Sequence, residues 1–210
     1  APWLTVSSGD FVGAGHNVVM RPMLATPTPT PGVPPQGAEW LHEVKWDGVR
    51  ALAETRGSTL HLYNRNEGEI TAAYPEIVAG AVGLPDGLLL DAEIIAIDPA
   101  SGVPTLQGIA PRIHVRDPDR ARRLASERPA TLVVFDVMRI DGHDITRLPL
   151  SERRALLEQL DLDRPAWQLS VTYDDPGIIT ELTRGAGLEG VMSKRLASTY
   201  QPGARSPDWL

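Results

Sequence analysis

The segment EVKWDGVR, residues 43–50, places Lys45 between the carboxylates Glu43 and Asp47, with Gly48 and Arg50 following. Lys45 is one of only two lysines. The Lys plus Arg total is 20, so 18 are arginines, and the second lysine is Lys194. In a chain this biased, a site that tolerates either cation drifts to arginine, so the retained lysines mark places where a guanidinium does not serve. The difference is chemical: an ammonium can lose its proton and become a nucleophile, whereas a guanidinium effectively never does. Gly48 allows a turn that leaves Lys45 projecting from a strand end into a cleft. Two more segments hold charges within apolar runs, LLLDAEIIAID with Asp91 and Glu93, and EGVMSKR with Glu189 and Lys194. Carboxylates in such strands are costly unless paired, hydrogen-bonded or bound to a cation. Each alone reads as a structural ion pair. Two lysines, two strand carboxylates and a glycine turn on one plan read as a chemical site.

The elements that must position these groups follow from patterning. Short strands are expected at 40–45, 49–55, 59–64, 88–97, 131–137 and 189–194, several alternating apolar and polar residues as half-buried strands do. ETRGSTLHL reads as a hairpin around Gly57 and Ser58. Helical patterns lie at 74–82, 118–127, 151–160, with Ser151 as N-cap, and 176–186. The layout is α+β, with largely antiparallel sheets and helices packed outside. Residues 22–37, PMLATPTPTPGVPPQG, are dense enough in proline to read as an extended connector, so the folded body is expected to begin near Glu39. Residues 1–21 receive no role beyond a short strand at 17–20. Neither a GxGxxG nor a GxxxxGK[ST] loop occurs, so any nucleotide would be handled without a Rossmann turn or a Walker loop.

Composition narrows the function classes. At 210 residues, 42% hydrophobic and 22% charged, the chain can bury a proper core. It has no apolar run of about 18 residues and no basic-then-apolar leader pattern, so a cytoplasmic protein is expected. Zero cysteines exclude disulfides, thiolate metal sites and a cysteine nucleophile. Any metal is therefore expected to be a hard, oxygen-bound one. A net charge of −7 disfavours gripping nucleic acid with the whole surface. The arginine-rich run at 112–128 reads first as a solvated amphipathic helix and second as a contact for a polyanion. The five histidines, His16, His42, His61, His114 and His143, read as surface or strand-end residues without a role.

KWDGVR resembles the KxDGxR signature of the covalent nucleotidyltransferases: ATP-dependent DNA ligases, RNA ligases and mRNA capping enzymes. LYNRNEGEITAAYPEI, LDAEIIAID, VVFDVMRIDG and EGVMSKR resemble that family's later blocks and arrive in its order. PMLATP, EVKWDGVRA and STYQPGARSPDW are similar to the ligase domain of bacterial end-joining ligases of the D and C types. The resemblance implies an ATP-grasp-like adenylation domain over 38–210, with its active-site cleft between the sheets. It implies that Lys45 attacks the α-phosphate of ATP to form lysyl-AMP, with Asp47 orienting the amine. An ordinary lysine titrates near pH 10.4, leaving the free amine in about a few molecules per ten thousand at neutrality, so nearby cations and metal must assist.

By the same resemblance Glu43 accepts a hydrogen bond from the adenine amino group, Phe135 stacks on the purine, and Val44 and Met192 line the nucleotide site. Arg50 and Arg65 hold ribose or phosphate oxygens, Glu93 and Glu189 contact ribose and Mg2+ or Mn2+, and Lys194 contacts the α-phosphate. AMP then passes to a DNA 5′-phosphate in nicked or broken duplex DNA. A Ku-type end-binding protein, fused polymerase and phosphoesterase domains and a monomeric state are further implications, with no membrane involved. Three departures stand out: Ala92 for a glycine, Asn64 for a serine, and Ser193 where relatives carry an apolar or small residue. SPDWL ends where the family continues with a W-x-K-x-K block and an OB-fold domain, so the reading expects slow self-adenylation and poor nick sealing. An RNA ligase or capping-type transferase is the alternative enzyme, and a non-catalytic nucleotide or DNA-end binding module is the alternative from another class.

Overall fold

The computed structural model describes residues 20–210. In chain order it holds β1 (Leu24–Ala25), β2 (Trp40–Lys45), β3 (Val49–Arg56), β4 (Thr59–Asn64), α1 (Pro75–Gly80), β5 (Leu89–Ile95), α2 (Leu106–Ile109), α3 (Pro118–Glu127), β6 (Thr131–Ile140), β7 (His143–Asp144), α4 (Leu150–Leu157), β8 (Trp167–Leu169), β9 (Thr172–Tyr173), α5 (Pro176–Ala186), β10 (Gly190–Arg195) and β11 (Arg205–Ser206). The larger sheet runs β4-β3-β5-β6-β7, with β8 alongside β6 in parallel. The smaller sheet is β10-β2-β9. Both are otherwise antiparallel, and the α+β reading holds.

Strand alternation decides which side chains can reach a cleft. On β5, Leu90, Ala92 and Ile94 join the main core under the helices, with Ala51 and Ala53 of β3 and Leu132 and Val134 of β6. The opposite face of the same strands carries Leu52, Leu89, Phe135 and Met138, which form a second cluster with Met23, Tyr200 and Trp209. Since successive side chains alternate, Asp91 and Glu93 share the face of Leu89 and look toward this second cluster. The departure Ala92 lies fully buried on the other face, where a methyl group adds to the core.

Six expected strands and four expected helices form, with ends shifted by a few residues. The Asp117 side chain accepts the Arg120 N–H at 2.7 Å to cap α3, and Asp175 does the same for α5 through the Gly177 N–H at 2.7 Å. Ser151 is not a cap: α4 begins at Leu150 after Pro149 without a side-chain cap. The Leu150 and Ser151 amides donate instead to the Ser198 and Leu196 carbonyls, so the first turn is satisfied by the loop after β10.

The connector reading needs a larger correction. Met23 is fully buried and β1 pairs in parallel with β11. The Thr26 N–H also donates to the Trp209 carbonyl. Residues 23–26 therefore belong to the folded body, because they still carry the N–H donors that the proline-dense stretch from Pro27 onward lacks at alternate positions. The strand expected at 17–20 falls outside the described residues, apart from Met20.

Candidate active site

Three residues, 46–48, separate β2 from β3, and they carry the chain from the small sheet to the large one. Gly48 is required there: a Cβ would stand 2.3 Å from the Ile94 carbonyl oxygen. The resulting cleft contains a cavity of about 140 Å3 walled by Glu43, Val44 and Lys45 of β2, Arg50 of β3, Glu93 of β5, Phe135 of β6, Met192 and Lys194 of β10, and Trp46 and Trp209. Eight of the residues expected from the sequence thus meet in one place, although up to about 150 positions separate them.

The inner end of the cavity holds two ion pairs. Lys194 Nζ donates to Glu43 Oε1 at 2.8 Å, with both side chains 2% exposed. The same ammonium stands 4.3 Å from the Phe135 ring centre and 4.7 Å from that of Trp209, close enough for cation–π attraction. Arg50 donates from Nε and Nη2 to the two oxygens of Asp91, each at 2.6 Å. Its guanidinium lies 4.7 Å above Phe135. Burial opposes the charge on Arg50, but Asp91 outweighs it and keeps the guanidinium fully cationic. Burial pushes the Glu93 carboxyl up to about 7; Asp91 and Asp47 act in the same sense, while Arg50 and the Gly48 N–H hold it down.

The outer end is different. Lys45 projects at the mouth with its side chain 45% exposed and donates to Glu189, which is itself 36% exposed. Lys45 and Met192 also line an adjoining groove of about 690 Å3, between the proline-rich segment and α5, that includes Glu189 and Arg205. One continuous path therefore leads from the buried Glu43–Lys194 pair past the amine to open solvent.

Two expectations change. Asp47 does not line the cavity; its Oδ2 accepts the Leu106 N–H at 2.9 Å, so it ties the start of α2 to the turn rather than orienting the Lys45 amine. Arg65 stands exposed in the turn after β4 and is outside the cavity wall. Lys194, expected at the α-phosphate, donates at 2.8 Å to Glu43, expected at the base. Asn64 fits its new context, since its Oδ1 accepts the Asn66 and Gly68 N–H groups and shapes the turn that carries Arg65.

His42 also departs from its surface reading. It is fully buried, with Nδ1 2.9 Å from the Ser193 hydroxyl, which explains the polar residue at 193. Burial lowers the His42 pKa. Of the arginine-rich run, Arg112 is buried on Glu76 and two backbone carbonyls, and Arg122 pairs with Asp119, so α3 reads as a solvated helix.

Sequence reasoning assigned no role to Tyr200, Trp209 or Met23, although it quoted their segments. Asp91 was noticed but given no task. Aromatics this close to a chain's glycine- and proline-rich end were the available signal.

The site bears on metal binding through its donor set. Among the described residues no three His, Asp or Glu side chains stand together as an ion site. Glu93 and Glu189 could each offer one carboxylate, which suits Mg2+, an ion that commonly takes one or two carboxylates with substrate phosphates and water.

The family profile described as "ATP dependent DNA ligase domain" matches residues 22–210. The chain is 37% identical over 169 residues to DNA ligase C2 of Mycolicibacterium smegmatis, covering 78% of this chain and 47% of that protein. It is 33% identical over 177 residues to a probable DNA ligase of Mycolicibacterium paratuberculosis, covering 83% of this chain and 34% of the relative. The crystal structure of the ligase domain from M. tuberculosis LigD superposes with a TM-score of 0.73 at 30% identity, over 90% of this chain and 58% of that one. A mycobacterial DNA ligase D complexed with ATP and MES matches with a TM-score of 0.69 at 27% identity, again over 90% and 58%. The chain spans between about a third and a half of these curated relatives' length. On the profile match and the shared fold, the chain belongs to the ATP-dependent DNA ligase domain family.

Proposed function

We propose that this domain transfers AMP from ATP to Lys45 and supplies the adenylated lysine to a longer DNA-joining enzyme. The observation that carries the reading is the mixed character of one path: a base-sized cavity built on the buried Glu43–Lys194 pair opens beside a solvent-reachable lysine amine. A cavity of about 140 Å3 is below the roughly 300 Å3 of a typical small-molecule pocket. A purine would therefore occupy the inner end and the phosphates would extend over Lys45 into the outer groove.

In this reading Glu43 is an acceptor for an exocyclic amine of the base, and Lys194, its neighbour in the cavity, turns its ammonium to the α-phosphate. Phe135 gives the ring an apolar face, and Val44 and Met192 fill the edges. Arg50 directs its remaining N–H groups at ribose or phosphate oxygen, a use that suits a rigid fork. At the mouth, the Lys45 ammonium passes a proton to solvent and leaves Glu189. Its nitrogen then bonds the α-phosphorus as the bond to pyrophosphate breaks. Mg2+ or Mn2+, held by Glu189, Glu93 and the phosphates, would supply charge stabilisation there. Asp47 contributes through the turn that carries the nucleophile. Nicked or broken duplex DNA is the substrate of the whole protein in this reading.

Intact mass after incubation with ATP and Mg2+ tests the proposal. An AMP adduct on the wild type, absent with GTP and absent in Lys45→Ala, is expected. An adduct that survives the substitution, or equal labelling by GTP, overturns it.

A further inference from the structure

Arg50 is gripped from behind by residues that come from both ends of the described chain. Asp91 is fully buried and receives three donors: Arg50 Nε on Oδ1, and Arg50 Nη2 and the Tyr200 hydroxyl on Oδ2, all at 2.6 Å. The Tyr200 oxygen in turn accepts the Met23 N–H at 3.0 Å, and Arg50 Nη2 reaches the Met23 carbonyl at 3.3 Å. These bonds close a ring through four residues, at 23, 50, 91 and 200. The Tyr200 ring packs edge-on against Trp209, with centroids 5.7 Å apart, and Trp209 is part of the cavity wall.

Without Tyr200 and Met23 the Asp91 carboxylate would have one partner and could turn about its side chain. With them, Asp91 Oδ2 is held by a second donor that does not move with Arg50, Arg50 Nη2 is tied to the Met23 carbonyl, and only the Nη1 edge of Arg50 is left for a ligand. We propose that the Tyr200 hydroxyl, held by the Met23 backbone, is a positioning group that fixes Arg50, through Asp91, in the orientation nucleotide binding needs. The inference rests on the nucleotide reading above for its consequence but not for its geometry. Burial, reinforced by Asp91, keeps the Tyr200 hydroxyl protonated well above pH 10, so it remains a donor throughout the working range.

Two measurements on Tyr200→Phe, in the full chain, test it. The first needs no nucleotide: with 15N-labelled arginine, the Arg50 Nε–H signal, identified by its absence in Arg50→Lys, is expected to be sharp and protected from exchange. Tyr200→Phe is expected to lose about tenfold of that protection, the scale of one hydrogen bond to a charged group. Unchanged protection overturns the proposal. The second is the rate of AMP-lysine formation against ATP concentration, where KM is expected to rise about tenfold with a smaller fall in kcat. A variant with a lower melting temperature but unchanged KM and kcat also overturns it. A wild type that takes up no AMP at all would sink the nucleotide reading instead, and the exchange result would still decide the clamp.

Discussion

The two ends of the cleft differ in how their charges are held. At the inner end, Glu43–Lys194 is buried and Arg50–Asp91 largely so, with Phe135 and Trp209 against the two cations and the Tyr200 hydroxyl on Asp91. At the mouth, Lys45–Glu189 is an exposed pair. Groups that recognise a ligand are best fixed before it arrives, since ordering them afterwards reduces affinity. A nucleophile that must shed both a proton and a carboxylate partner is better left at the surface, where an ion pair adds about 0–1 kcal/mol and separates easily. The comparison predicts that substitutions at the inner end act on stability and binding together, while those at the mouth act on chemistry alone.

The largest effect is expected from Lys45→Ala: AMP labelling falls to background while urea unfolding shifts by less than about 1 kcal/mol. Retained labelling would place the nucleophile elsewhere. Next comes the contrast between the two acids that partner lysines. Glu43→Ala strands a buried ammonium and is expected to cost about 3–5 kcal/mol, measured by denaturant unfolding. Glu189→Ala at the mouth is expected to cost less than about 1 kcal/mol. Equal costs would erase the distinction between the two ends.

A third test sharpens the boundary at Glu93. Its folded-state pKa of about 7 lies above the ordinary 4.5, so the folded chain binds the extra proton between these values. The stability Glu93 contributes is therefore full below pH 4.5 and lost as pH rises toward 7. Glu93→Gln removes that loss, so its stability relative to wild type is expected to rise between pH 5 and pH 7.5, by about 1–3 kcal/mol. A pH-independent difference would mean that the carboxyl is better solvated than its burial implies. A modest effect is expected at Ser193→Ala, which removes the partner of buried His42 behind the cleft. A loss of about 1–2 kcal/mol without change in AMP labelling would mark it as structural support.

Much of the fold was legible because it depends on local signals. Strand 40–45 and helices 118–127 and 176–186 appear at their expected limits, since alternation, proline at the first turn and an aspartate cap are written within a few residues. The residues that gather at the cleft were legible too: a lysine retained among arginines and carboxylates in apolar strands conflict with their local surroundings, and such conflicts gather at sites.

What the sequence by itself determined, then, is the longer strands and helices, the family they belong to, and which residues are chemically out of place. Partnership was decided only by the tertiary structure. Glu43 meets Lys194 across 151 positions, Asp91 meets Tyr200 across 109, and Met23 joins the body although its neighbours read as a connector. Nothing in a local pattern encodes these pairs. Glu43 and Lys194 meet because β2 and β10, far apart in the chain, pair within the small sheet, and Asp91 meets Tyr200 because the segment after β10 packs on the large sheet; a buried charge or hydroxyl then has to find a partner there.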